Sequence, residues 1–168
     1  MIKKVESALI GIGWYQIIGG SIGVILILYL FATEAEIENV AIAIYAISAL
    51  FFLYSIICGV LCLNKKNSAF AYSLVNQLLQ LIGFAFGGFA FIYIAGLYMS
   101  IGIDLSNSID LNFSAGVSKF EFNINREQGR VEVSVNLISL WVIYWIDKLR
   151  KRNKEVEATS KIMAIGNE

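Results

Sequence analysis

NSAFAYSLVNQLLQLIGFAFGGFAFIYIAGLYMSIGI, residues 67–103, contains no ionised side chain. Whether it forms one helix decides the fold. A transmembrane helix needs about 20 mostly apolar residues to cross about 30 Å of hydrocarbon. At about 1.5 Å per residue the whole stretch overshoots that thickness. It must therefore tilt, project or bend, and Gly87-Gly88 is the place to bend. The expectation is a transmembrane helix over 68–99.

Outward from this stretch the same pattern recurs. Residues 7–33 and 39–64 are also uncharged, which gives spans at 8–32 and 39–63. Lys3 and Lys4 precede the first, as in a secretory signal, but its apolar run far exceeds the roughly 7–15 residues of such signals. A fourth candidate, 133–146, is short. Lys148 and Arg150 can snorkel to the headgroups and extend it, giving a span over 134–153 and a polar tail over 154–168. Hydrophobic residues make up 58% and charged residues 15% of the chain, against about 45–50% and 25% in soluble domains. A soluble domain of this size has too much surface to hide that apolar excess. The expected fold is an all-α integral membrane protein: a single domain over 1–168, built as a four-transmembrane-helix bundle.

Charge gives the orientation. Lys3 and Lys4, Lys65 and Lys66, and the run Lys148, Arg150, Lys151, Arg152 and Lys154 fall on one side of the four spans. Glu34, Glu36 and Glu38 fall on the other. Basic flanks mark the cytoplasmic side, so both termini are expected there. The Lys-, Ile- and Asn-rich composition with little Arg suggests an AT-rich bacterial source, and hence the plasma membrane. Trp141, Tyr144 and Trp145 form an aromatic belt before the last basic run.

The extracytoplasmic segment 104–135 alternates. Ile109, Leu111 and Phe113, then Phe120, Phe122 and Ile124, then Val131, Val133 and Val135 each stand two apart, the period of a strand. A hairpin or small meander is expected between helices three and four, turning over Asn125-Arg126-Glu127-Gln128-Gly129. The alternative starts helix four near Gln128. In topology alone this plan is similar to the tetraspanins: four spans, both ends inside, a short outer loop and a larger one. The Cys-Cys-Gly signature and the paired cysteines of that family's large loop are absent, so no residue or function carries over.

The candidate site is a polar and small-residue cluster within the spans. Gln16, Gly19 and Gly23 in the first span echo Gln80, Gly83 and Gly87 in the third, which suggests a helical hairpin used twice. Small residues four apart let helix backbones approach. Asn76 and Gln80 share a helix face with Gly83 and Gly87. Helices one and three are expected to touch along their glycines, with Gln16 bonded near Asn76 or Gln80, because an unpaired amide in hydrocarbon costs several kcal/mol.

Chemistry is harder to find. The chain has no His, which removes the commonest metal ligand and near-neutral titrant and any Ser-His-Asp arrangement. There is no phosphate loop and no ionisable residue deep in a span. Cys58 and Cys62 read as apolar fillers. Zero net charge gives no pull toward nucleic acid. No enzymatic activity, cofactor or metal is expected. The expected partners are the lipid bilayer and a membrane protein or further copies of the chain. The expected role is a structural or interaction subunit of the cell envelope. The alternative is an oligomeric passive pore or small-solute carrier, with Ser48, Ser55 and Cys62 on its lining face.

Overall fold

The computed structural model describes residues 2–33, 39–124 and 129–165. In chain order the elements are α1 (Ile2–Thr33), α2 (Asn39–Leu63), α3 (Ala69–Leu79), β1 (Ile82–Phe86), β2 (Phe89–Asp104), β3 (Asp110–Ile124), β4 (Glu132–Asn136) and α4 (Leu137–Ile165). The expected acidic loop over 34–38 and the turn residues 125–128 lie outside the described residues.

The expected all-α bundle is overturned. The third apolar stretch holds a helix only to Leu79 and then becomes two strands of a four-stranded antiparallel sheet. The physical reason lies in Phe84-Ala85-Phe86-Gly87-Gly88-Phe89-Ala90-Phe91. Aromatics two apart fit a pleated strand. Gly87 and Gly88 have φ of 60° and 84°, and Phe86 pairs with Phe89. Two successive positive φ angles make the two-residue type I′ turn that matches strand twist. Gly87-Gly88 is thus a hairpin turn, not a helix bend. Among the described residues, only α1, from Lys3 to Thr33, and α2 are long and apolar enough to cross a membrane. The four-span plan and its likeness to tetraspanin topology therefore do not hold. Helix four begins at Leu137, directly after β4 rather than near Gln128, and most of its length is the charged part. The proposed repeat fails too: Gln16 to Gly23 is helix, whereas Gln80 caps a helix and Gly83 lies in a strand.

The sheet order is β1-β4-β2-β3, and β1 also pairs with β2. β2 is antiparallel to β1 through residues 89–91 and antiparallel to β4 through residues 100–104, while β1 and β4 are antiparallel to each other. Three straight strands cannot all oppose one another, so β2 must turn back on itself. It does so at the register shift between Ile94 and Leu97, where Gly96 has a φ of 116°. β3 follows β2 around the bend, and Ser118 takes a φ of 47°. The result is a small, nearly closed barrel whose ribbon is folded in two.

The inside of the barrel is mixed: Ile92, Ile94 and Tyr98 line a cavity of about 70 Å³ together with Ser100, Asn112, Ser114, Lys119, Glu132 and Ser134. On the outside of the first arm, Phe91, Tyr93 and Phe120 pack on Phe51 of α2. On the outside of the second arm, Leu97, Met99, Ile103, Leu111, Phe113 and Val133 are exposed, Phe113 at 74%. Soluble sheets bury the apolar face and expose the polar one.

The helices form one coherent end. Val5, Leu9 and Ile12 of α1 share a core with Cys62 of α2, Phe70 of α3, and Val142, Ile146 and Leu149 of α4. Lys65 Nζ reaches Glu6 at 2.6 Å. The basic residues at the start of α1, after α2 and along α4 thus gather at one pole. The first arm of the sheet lies along the other half of the helical pair, with Phe120 to Asn123 against Ile27, Leu30 and Tyr45.

Candidate functional site

Gln16, Asn76 and Gln80 are all buried, where α1, α2, α3 and β2 meet. Asn76 Nδ2 donates to Gln16 Oε1 at 3.2 Å and to Ser55 Oγ at 3.1 Å. Ser55 Oγ donates to the Gln16 carbonyl at 3.1 Å. The Tyr93 hydroxyl lies 3.0 Å from Asn76 Oδ1 and 2.8 Å from the Phe51 carbonyl. Four elements are tied by side chains projecting from one helical node. Gln80 is not part of that node: its Oε1 accepts the Ala95 N–H at 2.9 Å, holding the strand just before its bend.

The glycines divide. Gly19 stands directly against the backbone of Ala95 and Gly96, and its carbonyl accepts from Ser118 Oγ at 2.9 Å. Gly23 lies against the Phe52 ring. The small-residue face of α1 therefore receives α2 and the bent ribbon. It does not meet the expected glycines of a third helix. Gly83 is in β1, where an added Cβ would come 2.7 Å from Ser134 Oγ, and Gly87 is in the open turn. Contact between α1 and α2 instead uses Gly13 and Gly59: a Cβ on Gly59 would lie 2.5 Å from the Gly13 carbonyl.

Several contributors escape a reading of the sequence. Tyr93 and Gly96 sit in a segment expected to be helix, and Ser118 in the segment expected to be a hairpin or small meander, between its first two alternating runs. Tyr15, whose hydroxyl donates to the Leu97 carbonyl at 3.0 Å, looks like any aromatic in a span. Gln77 is fully buried, and neither end of its amide has a hydrogen-bond partner among the described residues. Its signal was present in the sequence, beside Asn76. The stripe Ser48, Ser55 and Cys62 is also buried. Ser48 bonds the Ile44 carbonyl at 2.7 Å, and Cys62 Sγ meets Ser73 Oγ at 3.1 Å.

The cluster is made of amides and hydroxyls. It supplies no acid or base that titrates near neutrality, and among the described residues no three His, Cys, Asp or Glu side chains gather where a metal could bind. Among the described residues, charge is confined to the sheet with its loops and the basic pole. In the sheet, Arg130 joins Glu121 and Glu132, at 2.7 Å to the latter. Asp104 accepts from the Ser106 N–H at 2.8 Å, and its bonds to Ser106 hold its carboxyl below the usual range. What the cluster can do is hold a bent strand against two apolar helices. No protein-family model matches the sequence, and no curated protein or solved structure is significantly similar to it.

Proposed function

We propose that this chain is a non-enzymatic interaction subunit of a bacterial plasma membrane, crossing it with α1 and α2 and keeping both termini in the cytoplasm. The basic pole supports that orientation, since lysines and arginines are retained inside. The flanks of both helices are apolar and exposed, Ile25, Leu28 and Leu50 among them. The sheet lies beside the outer halves of these helices, so it would share their lipid depth. An apolar exterior around an interior that carries Ser100, Asn112, Ser114, Lys119, Glu132 and Ser134 resembles the pattern of a lipid-embedded barrel.

The observation that carries the interaction role is the open edge of this sheet. Among the described residues β3 pairs only with β2, and residues 110–115 are exposed throughout. Beyond Asp110 the exposed part, Leu111-Asn112-Phe113-Ser114-Ala115, has neither the charge nor the Pro that commonly blunts edge strands. Unpaired backbone groups are not tolerated in hydrocarbon. A strand from a second copy or from another membrane protein would complete the ladder and continue the apolar face. The pore alternative is weaker, because the serine and cysteine stripe that would line it is spent inside the monomer.

The test is to place a charge on the edge, as Ala115→Lys. Purified in mild detergent, the wild-type chain should run as an assembly with itself or with a co-purifying membrane protein, and the variant should run as the lone chain. Identical assemblies for both, or a wild-type chain that is always alone, would refute this role.

A further inference from the structure

A groove of about 310 Å³ runs between α1 and α4, lined by Gly11, Tyr15, Leu97, Ile138, Trp141 and Trp145 among others. We propose that it holds one acyl chain of an anionic phospholipid, whose phosphate rests on Lys4, Lys148 and Arg152. This inference rests on the membrane reading above.

Shape is the first ground. Of the glycines on α1, Gly13, Gly19, Gly20 and Gly23 are each pressed by a neighbouring element, but a Cβ on Gly11 would meet nothing within 4 Å. Protein packing does not use the space that Gly11 leaves. Glycine lowers helix stability relative to alanine, so its notch serves something outside the fold. A methylene is close in size to a water molecule, whose share of the liquid is about 30 Å³, so a groove of 310 Å³ takes roughly ten such groups.

Charge is the second. Residues 4, 8, 11 and 15 fall on one stripe of α1, and residues 141, 145, 148 and 152 on one stripe of α4. α4 starts level with Tyr15, where Ile138 and Leu97 line the groove, and runs back to the core that holds Val5. The two stripes therefore end in bases at the same pole. Lys4, Lys148 and Arg152 are exposed, and no carboxylate among the described residues pairs with them. On another face of α4, Arg150 and Lys151 are both engaged by Asp147, at 3.0 and 2.7 Å. The Trp141 and Trp145 rings, with centroids 5.1 Å apart, stand between the apolar floor and the bases, at the level where indoles mark a lipid interface. An apolar slot whose two helical walls run on toward exposed bases, Lys148 among them standing 5.9 Å over the Tyr144 ring, fits a single-chain tail beneath an anionic head.

The full chain would be placed in nanodiscs of equal phosphatidylglycerol and phosphatidylethanolamine, and its retained lipids read by native mass spectrometry. One phosphatidylglycerol should be kept in preference. Gly11→Leu, whose Cβ has no heavy atom within 4 Å and whose side chain narrows the notch, should lower retention of either lipid. Lys148→Gln with Arg152→Gln should leave retention of a chain but erase the headgroup preference, by about fivefold per base. Equal retention of both lipids by the wild type, or no change in the variants, would overturn the lipid site alone. A chain that stays in solution without detergent would overturn the membrane reading and this site together.

Discussion

Asn76 uses both amide hydrogens and its oxygen, on Gln16, Ser55 and Tyr93. A buried side chain so fully engaged is costly to truncate, because Gln16 Oε1 is left dry and unpaired and Ser55 and Tyr93 each lose one of their bonds. Asn76→Leu should lower stability in detergent by about 2–3 kcal/mol, seen as an earlier thermal transition. Tyr93→Phe, which removes a single hydroxyl, should cost about 1 kcal/mol. Gln77 is the control. Its amide is buried without a partner among the described residues, so Gln77→Met removes a desolvated group of similar shape and should raise stability by about 1–2 kcal/mol. If both amides prove equally costly to remove, hydrogen bonding is not what distinguishes them. Asp104 offers a pH test away from the membrane core. Its folded pKa is lowered, so its contribution is full above the ordinary value of about 3.9 and fades as pH falls through the lower, folded value. Ser106→Ala should move the Asp104 titration, followed by carboxyl NMR, back up toward that ordinary value.

Among the elements, β2 has the most demanding shape. It opposes β1 at one end and β4 at the other, and everything outside its bend depends on Gly96. The position has positive φ, and an added Cβ would come 2.9 Å from the Tyr15 ring. Gly96→Ala should therefore lower the thermal transition by more than Gly87→Asn, since asparagine tolerates the left-handed region and Gly87 has open space around it. Equal losses would mean that the bend is not fixed at Gly96. The same element shows what the sequence could and could not reveal. α1 and α2 were legible because a helix long and apolar enough to cross a membrane has one pattern, a long run without charge. In 82–103 two patterns coincide: the run is uncharged, and its aromatics also alternate around a Gly-Gly pair. Read by length it is a span; read by period it is a hairpin, and the structure follows the period. Gln16 and Asn76 were visible as polar residues in apolar runs. Tyr93 and Ser118 were not, because their role depends on a fold-back that no local spacing encodes.

For the whole molecule, the strongest organising feature is the separation of charge along one axis. The bases of three distant segments gather where Lys65 meets Glu6 and where Leu149 shares a core with Val5. The sheet, with Asp104, Asp110, Glu121 and Glu132, starts near the middle of α1 and extends away from that pole. If α1 and α2 cross the bilayer with the bases inside, the loop tip at Asn107 and the helix at Arg152 lie on opposite sides of it. The native thiols do not interfere, since Cys58 and Cys62 are buried. In intact cells a membrane-impermeant maleimide should label Asn107→Cys and leave Arg152→Cys untouched until the membrane is opened. Labelling of both without permeabilisation would show that the helical pair does not cross. Labelling of Arg152→Cys alone would show that it crosses the other way, with the sheet in the cytoplasmic half.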